Sequence, residues 1–296
     1  MKITVFTPTY NRAYILQNLY RSLRSQKYRD FEWLIVDDGS KDNTKQLIDK
    51  WIKENNFFPI RYYYQENSGK HVAINMALDK AKGDLFFTVD SDDYLTADAL
   101  YKISKWEASL PKDGRFCGVA GNLGTSINYT QNPSFNGSYI DKSLLDRYTY
   151  QENGKNVLSG ERAYIFYTKI HREYKYPIFQ GEKFMTEAVV WNRMAANGYL
   201  MRFYNDIIWI YEYREDGLTQ KGNKLFLDNP RGYGLWLSEK LRYQKGTFFD
   251  RIKLYYTFTC ELSKQYDDVV LIAESIGAPR FLIKVIISIR KLMERR

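Results

Sequence analysis

Apolar and polar positions follow two different periods along the first hundred residues. Short apolar runs rich in aromatic and branched side chains predict four strands, at 3–8, 31–38, 60–65 and 84–90. Between them, apolar residues recur every three or four positions. That spacing predicts three helices, at 13–26, 43–55 and 70–83, with Gly83 as the C-cap of the last.

This alternation predicts an α/β fold with a mainly parallel sheet and helices on both of its faces. In such sheets, ligands bind at the carboxyl ends of the strands. Three strand ends in this sequence carry polar clusters, namely "TPTYNR", "DDGS" and "DSDD". We therefore expect these three clusters to meet in one cleft.

The pattern is looser after residue 110. It predicts a strand at 114–124, a long loop or hairpin at 125–160, extended chain at 160–177, a helix at 182–198 and a strand at 199–215. The last seventy residues have mostly helical spacing, and no internal repeat or linker is evident. We predict one domain over 1–222, with halves at 1–110 and 111–222, followed by a helical C-terminal extension at 223–296.

Composition narrows the class of protein only slightly. The 296 residues are 44% hydrophobic and carry a formal net charge of +9, which suits nucleic acid, an anionic membrane surface or phosphate-bearing substrates. Cys117 and Cys260 lack metal-ligand spacing and favour a reduced compartment. The first residues turn polar too early for a signal peptide, and no apolar run approaches the roughly 20 residues of a spanning helix. We expect a soluble or peripheral protein.

The acidic cluster in "FFTVDSDDYL" is the strongest sign of chemistry. Asp90, Asp92 and Asp93 follow a buried strand, where crowded carboxylates are costly unless something compensates their charge. Mg²⁺ and Mn²⁺ prefer oxygen ligands and are often held by one or two carboxylates plus substrate phosphates. The cluster therefore indicates a cation site, with a solvated loop as the alternative.

Three further stretches carry polar groups to the same predicted edge. "VDDGSKDNT" supplies carboxylates that can accept a base N–H of uracil or guanine, or simply form a turn and a helix cap. "TPTYNRA" either lines a nucleotide pocket or is an ordinary strand-to-helix turn. "ENSGKHVAIN" places Gly69 and Lys70 at a helix N-terminus, which attracts anions. Neither G-x-G-x-x-G nor G-x-x-x-x-G-K-[ST] occurs, which disfavours a dinucleotide dehydrogenase or a P-loop enzyme.

Four blocks taken together resemble glycosyltransferase family 2, the inverting enzymes of the Rossmann-like GT-A fold. The blocks are "TVFTPTYNR", "FEWLIVDDGSKDNT", "NSGKHVAINMAL" and "AKGDLFFTVDSDDYL", and they cover residues 3–95. The resemblance implies transfer of a sugar from a nucleoside diphosphate sugar to a hydroxyl, with inversion at C1, in surface polysaccharide or glycolipid biosynthesis. It makes 1–110 the nucleotide-sugar half and 111–222 the acceptor and catalytic half.

The resemblance also implies roles for particular residues. Asp38 matches the aspartate that contacts the base, with UDP as the expected nucleotide. Asp90, Ser91 and Asp92 match the D-x-D block, in which Asp92 is the expected ligand of Mn²⁺ or Mg²⁺, Asp90 lies nearer the nucleotide and also serves the metal, and Asp93 is a third candidate. The remaining donor-binding candidates are Pro8, Thr9, Asn11, Arg12 and Lys70.

Inversion requires a base that takes the proton of the acceptor hydroxyl. The family carries this base in an acidic pair at a helix start, and in "GEKFMTEAVVWNR" Glu187 falls at the catalytic position. Thr186 stands where the other acid falls, so the pair is broken, and Glu182 is the competing candidate. For both glutamates the alternative is a solvated helix face.

Basic residues after the last predicted strand are the remaining candidates for binding the nucleotide sugar. "EYREDGLTQKGNK" resembles the family segment that folds over the diphosphate, with Arg214 as first choice and Lys221 as second. The histidine that the family often carries there is missing from this sequence.

The C-terminal segment 279–296 is amphipathic. Lys284, Ser288, Lys291 and Arg295 share one face, opposite a row of isoleucines and leucines. This pattern is typical of a helix in an anionic membrane interface, or of one packed on its own domain or on a second subunit of a homodimer. We expect a cytoplasmic protein, peripheral at the inner membrane face if its acceptor is a lipid-linked sugar and not a free carbohydrate.

Two other classes of function remain open on the sequence. A nucleotidyltransferase acting on sugar phosphates also needs a carboxylate-bound metal, but "TPTYNR" lacks the glycines that usually follow its first strand. A basic, aromatic-rich binding module is the non-enzymatic alternative. The acidic strand ends would repel a polyanion, so no nucleic acid partner is expected.

Overall fold

Four parallel strands form the first half of a central sheet. They are β1 (Ile3–Thr9), β2 (Phe31–Asp37), β3 (Ile60–Tyr64) and β4 (Leu85–Thr88), in the spatial order β3-β2-β1-β4. The register pairs Thr9 with Asp37, and Asp37 with Tyr64, so the carboxyl ends of the first three strands lie level. The four predicted strands are confirmed to within about two residues at each end.

The computed structural model describes residues 1–212, 214, 217, 220 and 222–293. Two compact units divide the chain. The first contains 1–175 and 193–213, and the second contains 176–192 and 214–296. The predicted domain limits at 110 and 222 stay predictions.

Helices alternate with these strands in the first unit. They are α1 (Gln17–Arg24), α2 (Thr44–Lys53), α3 (Lys70–Lys80) and α4 (Ala99–Ala108). Each helix buries a row of apolar residues, as α1 does with Leu19 and Leu23. Tyr20 stacks on Trp51 with ring centroids 4.4 Å apart, and Trp33 of β2 stacks on both. This aromatic core holds α1 and α2 against the sheet.

The second half of the sheet mixes strand directions. It contains β5 (Tyr94–Leu95), β6 (Phe116–Gly124), β7 (Tyr139–Ser143), β8 (Arg162–Tyr167) and β9 (Leu200–Ile210). From β4 the order continues β8-β6-β9-β5, with β7 paired to β9. β8 is antiparallel to β4 and β6, whereas β6 and β9 are parallel. The first unit is thus an α/β structure built on one large sheet.

One predicted extended stretch is wrong in its second half. Residues 160–177 were expected to be extended, but β8 ends at Tyr167 and α5 (Thr168–Glu173) follows. His171 on α5 is buried between Phe86 and Phe166, with ring centroids 5.5 and 4.9 Å away. These contacts pack α5 against β4 and β8.

The helix predicted at 182–198 begins six residues later, as α6 (Ala188–Ala196). Contacts with Asn229 hold its predicted first turn outside the helix, because the Asn229 side chain accepts hydrogen bonds from the backbone N–H groups of Lys183 and Phe184 at 2.7 and 3.0 Å. A tertiary contact thus overrides the local periodicity.

Gly83 is not the C-cap of α3, because the helix ends at Lys80 and its C-cap is Ala81. Its N–H donates to Thr4 Oγ1 at 2.9 Å. A Cβ on Gly83 would lie 2.4 Å from the backbone nitrogen of Thr4. This glycine therefore permits close approach to β1.

The second unit ends in five helices of the described chain. They are α7 (Asn223–Leu227), α8 (Pro230–Tyr243), α9 (Phe248–Leu262), α10 (Val269–Ile276) and α11 (Arg280–Met293). Phe258, Leu262, Ile272, Ile283 and Ile286 form their common core. The helical character predicted for the last seventy residues is confirmed. Among the described residues, no helix has both the length and the apolar character needed to cross a membrane.

Candidate active site

The polar clusters that follow β1, β2 and β4 meet at one edge of the sheet. Asn11 joins the first two loops, because its N–H donates to Ser40 Oγ and its Oδ1 accepts from the Lys41 N–H, both at 2.8 Å. The backbone of Asn11 has φ 53°, a left-handed conformation that asparagine tolerates better than most residues. These contacts fix the loop that carries Arg12.

Asp38 organises the neighbouring loop. Its Oδ1 accepts from Gln65 Nε2 and the Ser68 N–H, each at 2.7 Å, and its Oδ2 accepts from the Gly69 N–H at 2.9 Å. Asn67 Nδ2 also donates to Oδ2, at 3.2 Å. The buried carboxylate thus joins the end of β2 to the start of α3, a role that the sequence did not indicate.

At Gly39, a tight turn brings the loop after β2 against the loop after β3. Its φ is +87°, a region that favours glycine, and a Cβ there would lie 2.8 Å from the backbone nitrogen of Asn67. The turn therefore has no room for a side chain.

Pro8 and Thr9 line the end of β1 beside this loop. The Thr9 carbonyl accepts from the Asp38 N–H at 2.8 Å, whereas Thr9 Oγ1 is buried and has no hydrogen-bond partner within the described part of the chain. A buried hydroxyl without a partner is unusual in folded proteins. This one lies at the strand edge where the sequence predicts the nucleotide.

Two cations face the acidic cluster after β4. Lys70, the first residue of α3, places Nζ 2.8 Å from Asp90 Oδ1. Arg12 places Nη2 3.9 Å from Asp92 Oδ2, and the buried Ser91 lies between the two acids. Burial raises the pKa of Asp92, and the charge of Asp90 raises it further, whereas Arg12 and Lys70 lower it.

Asp93 has a different environment from the other two acids. Trp209 on β9 donates its indole N–H to Asp93 Oδ2 at 2.8 Å. Burial, with the charges of Asp90 and Asp92, raises the pKa of Asp93 to about 8. The Trp209 ring also packs edge-on against Phe87, with ring centroids 5.7 Å apart. Asp93 therefore anchors the acidic turn, and nothing in the sequence pointed to Trp209.

The donor atoms at this edge suit a hard divalent cation. Nowhere in the described chain do three or more His, Cys, Asp or Glu side chains form a closed metal-binding group. Mg²⁺ usually takes one or two carboxylates and fills its other positions with phosphates and water. Asp90 and Asp92 fit that donor set, because both are partly exposed at a strand end.

The second unit contains the remaining candidates. The Glu187 carbonyl accepts from the N–H groups of Val190 and Trp191 at the start of α6, and its side chain is half-buried. The Arg214 carbonyl accepts from the Gly217 N–H at 3.2 Å. Lys221 lies outside the described residues.

Glu182 serves a structural purpose in the same unit. Its two oxygens accept from the N–H groups of Arg231 and Gly232 at 2.8 and 2.9 Å, at the start of α8. A carboxylate at this position satisfies free helix N–H groups and complements the helix dipole. Burial raises the pKa of Glu182, and these two hydrogen bonds oppose that rise.

The sequence that forms these loops matches a known protein family. Residues 4–183 match the sequence model described as Glycosyl transferase family 2. The chain belongs to this family. The resemblance that the sequence motifs indicated is therefore confirmed.

Curated relatives match about a third of the chain. The GalNAc(5)-diNAcBac-PP-undecaprenol beta-1,3-glucosyltransferase of Campylobacter jejuni is 33% identical over 101 residues, 33% of this chain and 32% of its own length. The poly-beta-1,6-N-acetyl-D-glucosamine synthase of Staphylococcus aureus is 36% identical over 116 residues, 39% of this chain and 28% of its own length. These matches span about a third of each relative.

Solved structures resemble the family 2 chain over more of its length. S. aureus TarS 1–349 in complex with UDP-GlcNAc has a TM-score of 0.61 at 16% identity, covering 96% of this chain and 91% of that one. The mannosyltransferase PcManGT of Pyrobaculum calidifontis, with GDP-Man and Mn²⁺, has a TM-score of 0.56 at 20% identity, covering 81% and 64%. The predicted GT-A fold is confirmed.

Proposed function

We propose that this chain transfers a sugar from a nucleoside diphosphate sugar, with UDP as the nucleotide, to a hydroxyl of a carbohydrate or a lipid-linked sugar. The observation that carries this proposal is the meeting of the acidic turn 90–93 with Arg12 and Lys70 at the carboxyl edge of the parallel strands. The TarS complex with UDP-GlcNAc supports the choice of nucleotide. The names of the curated relatives support a role in surface polysaccharide or glycolipid synthesis.

In this proposal, Pro8, Thr9 and Asp38 form the nucleotide wall. The unpartnered Thr9 hydroxyl is available to a polar group of the nucleoside. The contact of Asp38 with the base rests on the family resemblance, and its bonds to the 65–69 loop would hold the carboxylate in a fixed orientation. Asn11 supports this wall by fixing the adjacent loop.

The diphosphate is placed next to the acidic turn. A bound Mn²⁺ or Mg²⁺ would act there as a Lewis acid for the leaving diphosphate, held by Asp92 and Asp90. Lys70 and Arg12, which pair with these acids in the structure, would add positive charge beside the phosphates. Arg214 is the proposed third cation, by its place in the segment after β9.

Glu187 is the proposed base of a single inverting displacement. Its carboxylate would take the acceptor proton as the hydroxyl attacks C1 and the nucleoside diphosphate leaves. The Glu182 carboxylate already accepts hydrogen bonds from two N–H groups at the start of α8, which supports Glu187 as the base. Glu187→Gln should lower kcat by about a hundredfold or more, the usual size of general-base assistance, with little change in KM for the donor. Glu182→Gln is the matched control, with reduced stability and near-normal kcat.

Product analysis separates this function from nucleotidyl transfer. Incubation with UDP-sugars and a mixed lipid-linked acceptor fraction should release UDP, with no pyrophosphate formed from UTP and sugar phosphates. Pyrophosphate release without UDP would favour the nucleotidyltransferase.

We also propose that residues 279–296 contact a membrane surface, with the enzyme working at its cytoplasmic face. The absence of acidic side chains from Arg280–Met293 supports this placement. Pairing of two chains through α11 is the alternative.

A further inference from the structure

The outer face of α11 is apolar and exposed. Phe281, Val285, Ile289 and Leu292 recur at helical spacing, with 70%, 49%, 45% and 64% of their surface accessible. The opposite face, through Ile283 and Ile286, is buried in the helical core. The helix thus carries a second apolar stripe that its own unit does not cover.

Basic side chains flank this stripe. Lys284 and Lys291 lie seven residues apart on the solvent side, whereas Arg290 turns inward to donate to the Cys260 carbonyl at 3.3 Å. Arg280 pairs with Glu274 at 2.8 Å. An apolar stripe beside lysines is the pattern of helices that lie in a membrane interface.

A second exposed apolar group lies at the start of α9. Phe248 and Phe249 are its first two residues and are 70% and 82% exposed. Thr247 and Asp250 close this helix end by a capping box, with the Thr247 N–H donating to Asp250 Oδ2 at 2.8 Å. The cap is complete without the two phenyl rings, so local structure does not require them.

Both features belong to one packed helical unit. Phe258 and Leu262 of α9 share a core with Ile283 and Ile286 of α11. In the described chain, five of the six most exposed large hydrophobic side chains lie on these two helices. This concentration distinguishes the unit from a surface with scattered apolar residues.

We propose that the start of α9 and the outer face of α11 form one docking surface for an anionic phospholipid bilayer. Phe248 and Phe249 enter the boundary between headgroups and acyl chains, and Lys284 and Lys291 meet the anionic headgroups. Charge complementarity favours lipid over a second copy, because α11 exposes Lys284 and Lys291 and has no acidic residue that a second copy could pair with them. The Phe248–Phe249 contact goes beyond that of residues 279–296, because it adds apolar area that would be buried in the same membrane interface.

Vesicle flotation of the full chain tests this surface. The wild type should float with an equal mixture of phosphatidylcholine and phosphatidylglycerol, and not with phosphatidylcholine alone. A Phe248→Ser/Phe249→Ser variant and a Lys284→Glu/Lys291→Glu variant should each bind the anionic vesicles about tenfold or more weakly. The control Ile127→Ser, which removes a 68% exposed side chain of the first unit, should bind as the wild type does.

The proposal is overturned if the wild type does not float with anionic vesicles or if the phenylalanine variant binds them as tightly as the wild type. It is also overturned if sedimentation velocity without lipid shows a dimer that the phenylalanine variant dissociates, since the surface would then join two copies. The thermal shift caused by UDP with Mn²⁺, measured on each variant, should not change. That readout separates failure of the docking surface from failure of the proposed reaction.

Discussion

Three acidic side chains stand within four residues of one another, and each has its own partner. Lys70 pairs with Asp90, Arg12 faces Asp92, and Trp209 donates a hydrogen bond to Asp93. Two acids are thus left partly exposed toward the strand edge, while the third is fixed inside. This division lowers the repulsion within the cluster and leaves Asp90 and Asp92 accessible for the proposed metal and nucleotide sugar.

Trp209→Phe tests the anchoring of the acidic turn. The variant keeps the aromatic contact with Phe87 and loses the hydrogen bond to Asp93, a loss of about 1 kcal/mol or roughly fivefold in affinity. We expect UDP with Mn²⁺ to bind several-fold more weakly in calorimetric titration. Trp106→Phe, which alters a stack on Tyr204 away from the acidic turn, is the control. Equal affinities in Trp209→Phe and the wild type would refute the anchoring role.

Asp38→Asn tests the joint between β2 and α3. The amide cannot accept from all four donors that now meet the carboxylate, so one or more of these N–H groups lose their partner. Urea unfolding should show a loss of about 1–3 kcal/mol. Glu66→Gln, an exposed change in the same loop, should leave the unfolding free energy unchanged. A stability of Asp38→Asn equal to that of the wild type would contradict the structural role of Asp38.

The sequence predicted which residues meet at the strand edge better than it predicted what each one does. Asp90, Asp92 and Lys70 follow from strand ends and a helix start, which local patterns reveal. The partner of Asp93 lies 116 positions away in the chain. Such a long-range pairing leaves no trace in local periodicity.

Element boundaries show the same division between local and tertiary effects. The strands β1 to β4 match their predicted positions to within about two residues, and α1 to α3 lie inside their predicted ranges, because burial on the sheet follows the local pattern. α6 begins late because Asn229, from a distant part of the chain, binds the preceding backbone. α5 replaces the end of a predicted strand because its histidine packs on Phe86 and Phe166.

His171 makes the stability of this region depend on pH. Burial lowers its pKa to about 3, so the folded protein keeps the ring neutral while the unfolded chain protonates it near pH 6.5. Its contribution to stability is therefore complete above pH 6.5 and is lost as the pH falls toward 3. By pH 5 the loss should reach about 2 kcal/mol.

Urea unfolding of the wild type and His171→Phe at pH 7.5 and 5 measures this contribution. The variant should lose less stability over that interval, by about 2 kcal/mol. Identical pH dependence in the two proteins would show that His171 is not the titrating group.

At the scale of the whole molecule, the two units carry different parts of the proposed function. The first contains the sheet edge and nearly all donor candidates, and the second contains Glu187, Arg214 and the exposed faces of α9 and α11. Four motifs covering residues 3–95 were sufficient to indicate the family. The acceptor could not be predicted, because the later half carries no comparable motif.

A thermal-shift measurement of nucleoside diphosphates with and without Mn²⁺ tests the central claim most directly. Ligands that bind only the folded state raise its melting temperature. We predict that UDP with Mn²⁺ raises Tm, that UDP alone or GDP with Mn²⁺ has a smaller effect, and that Asp92→Asn abolishes the Mn²⁺-dependent part. If no nucleoside diphosphate raised Tm in the presence of Mn²⁺, or if Asp92→Asn responded as the wild type does, the proposed donor site would be contradicted.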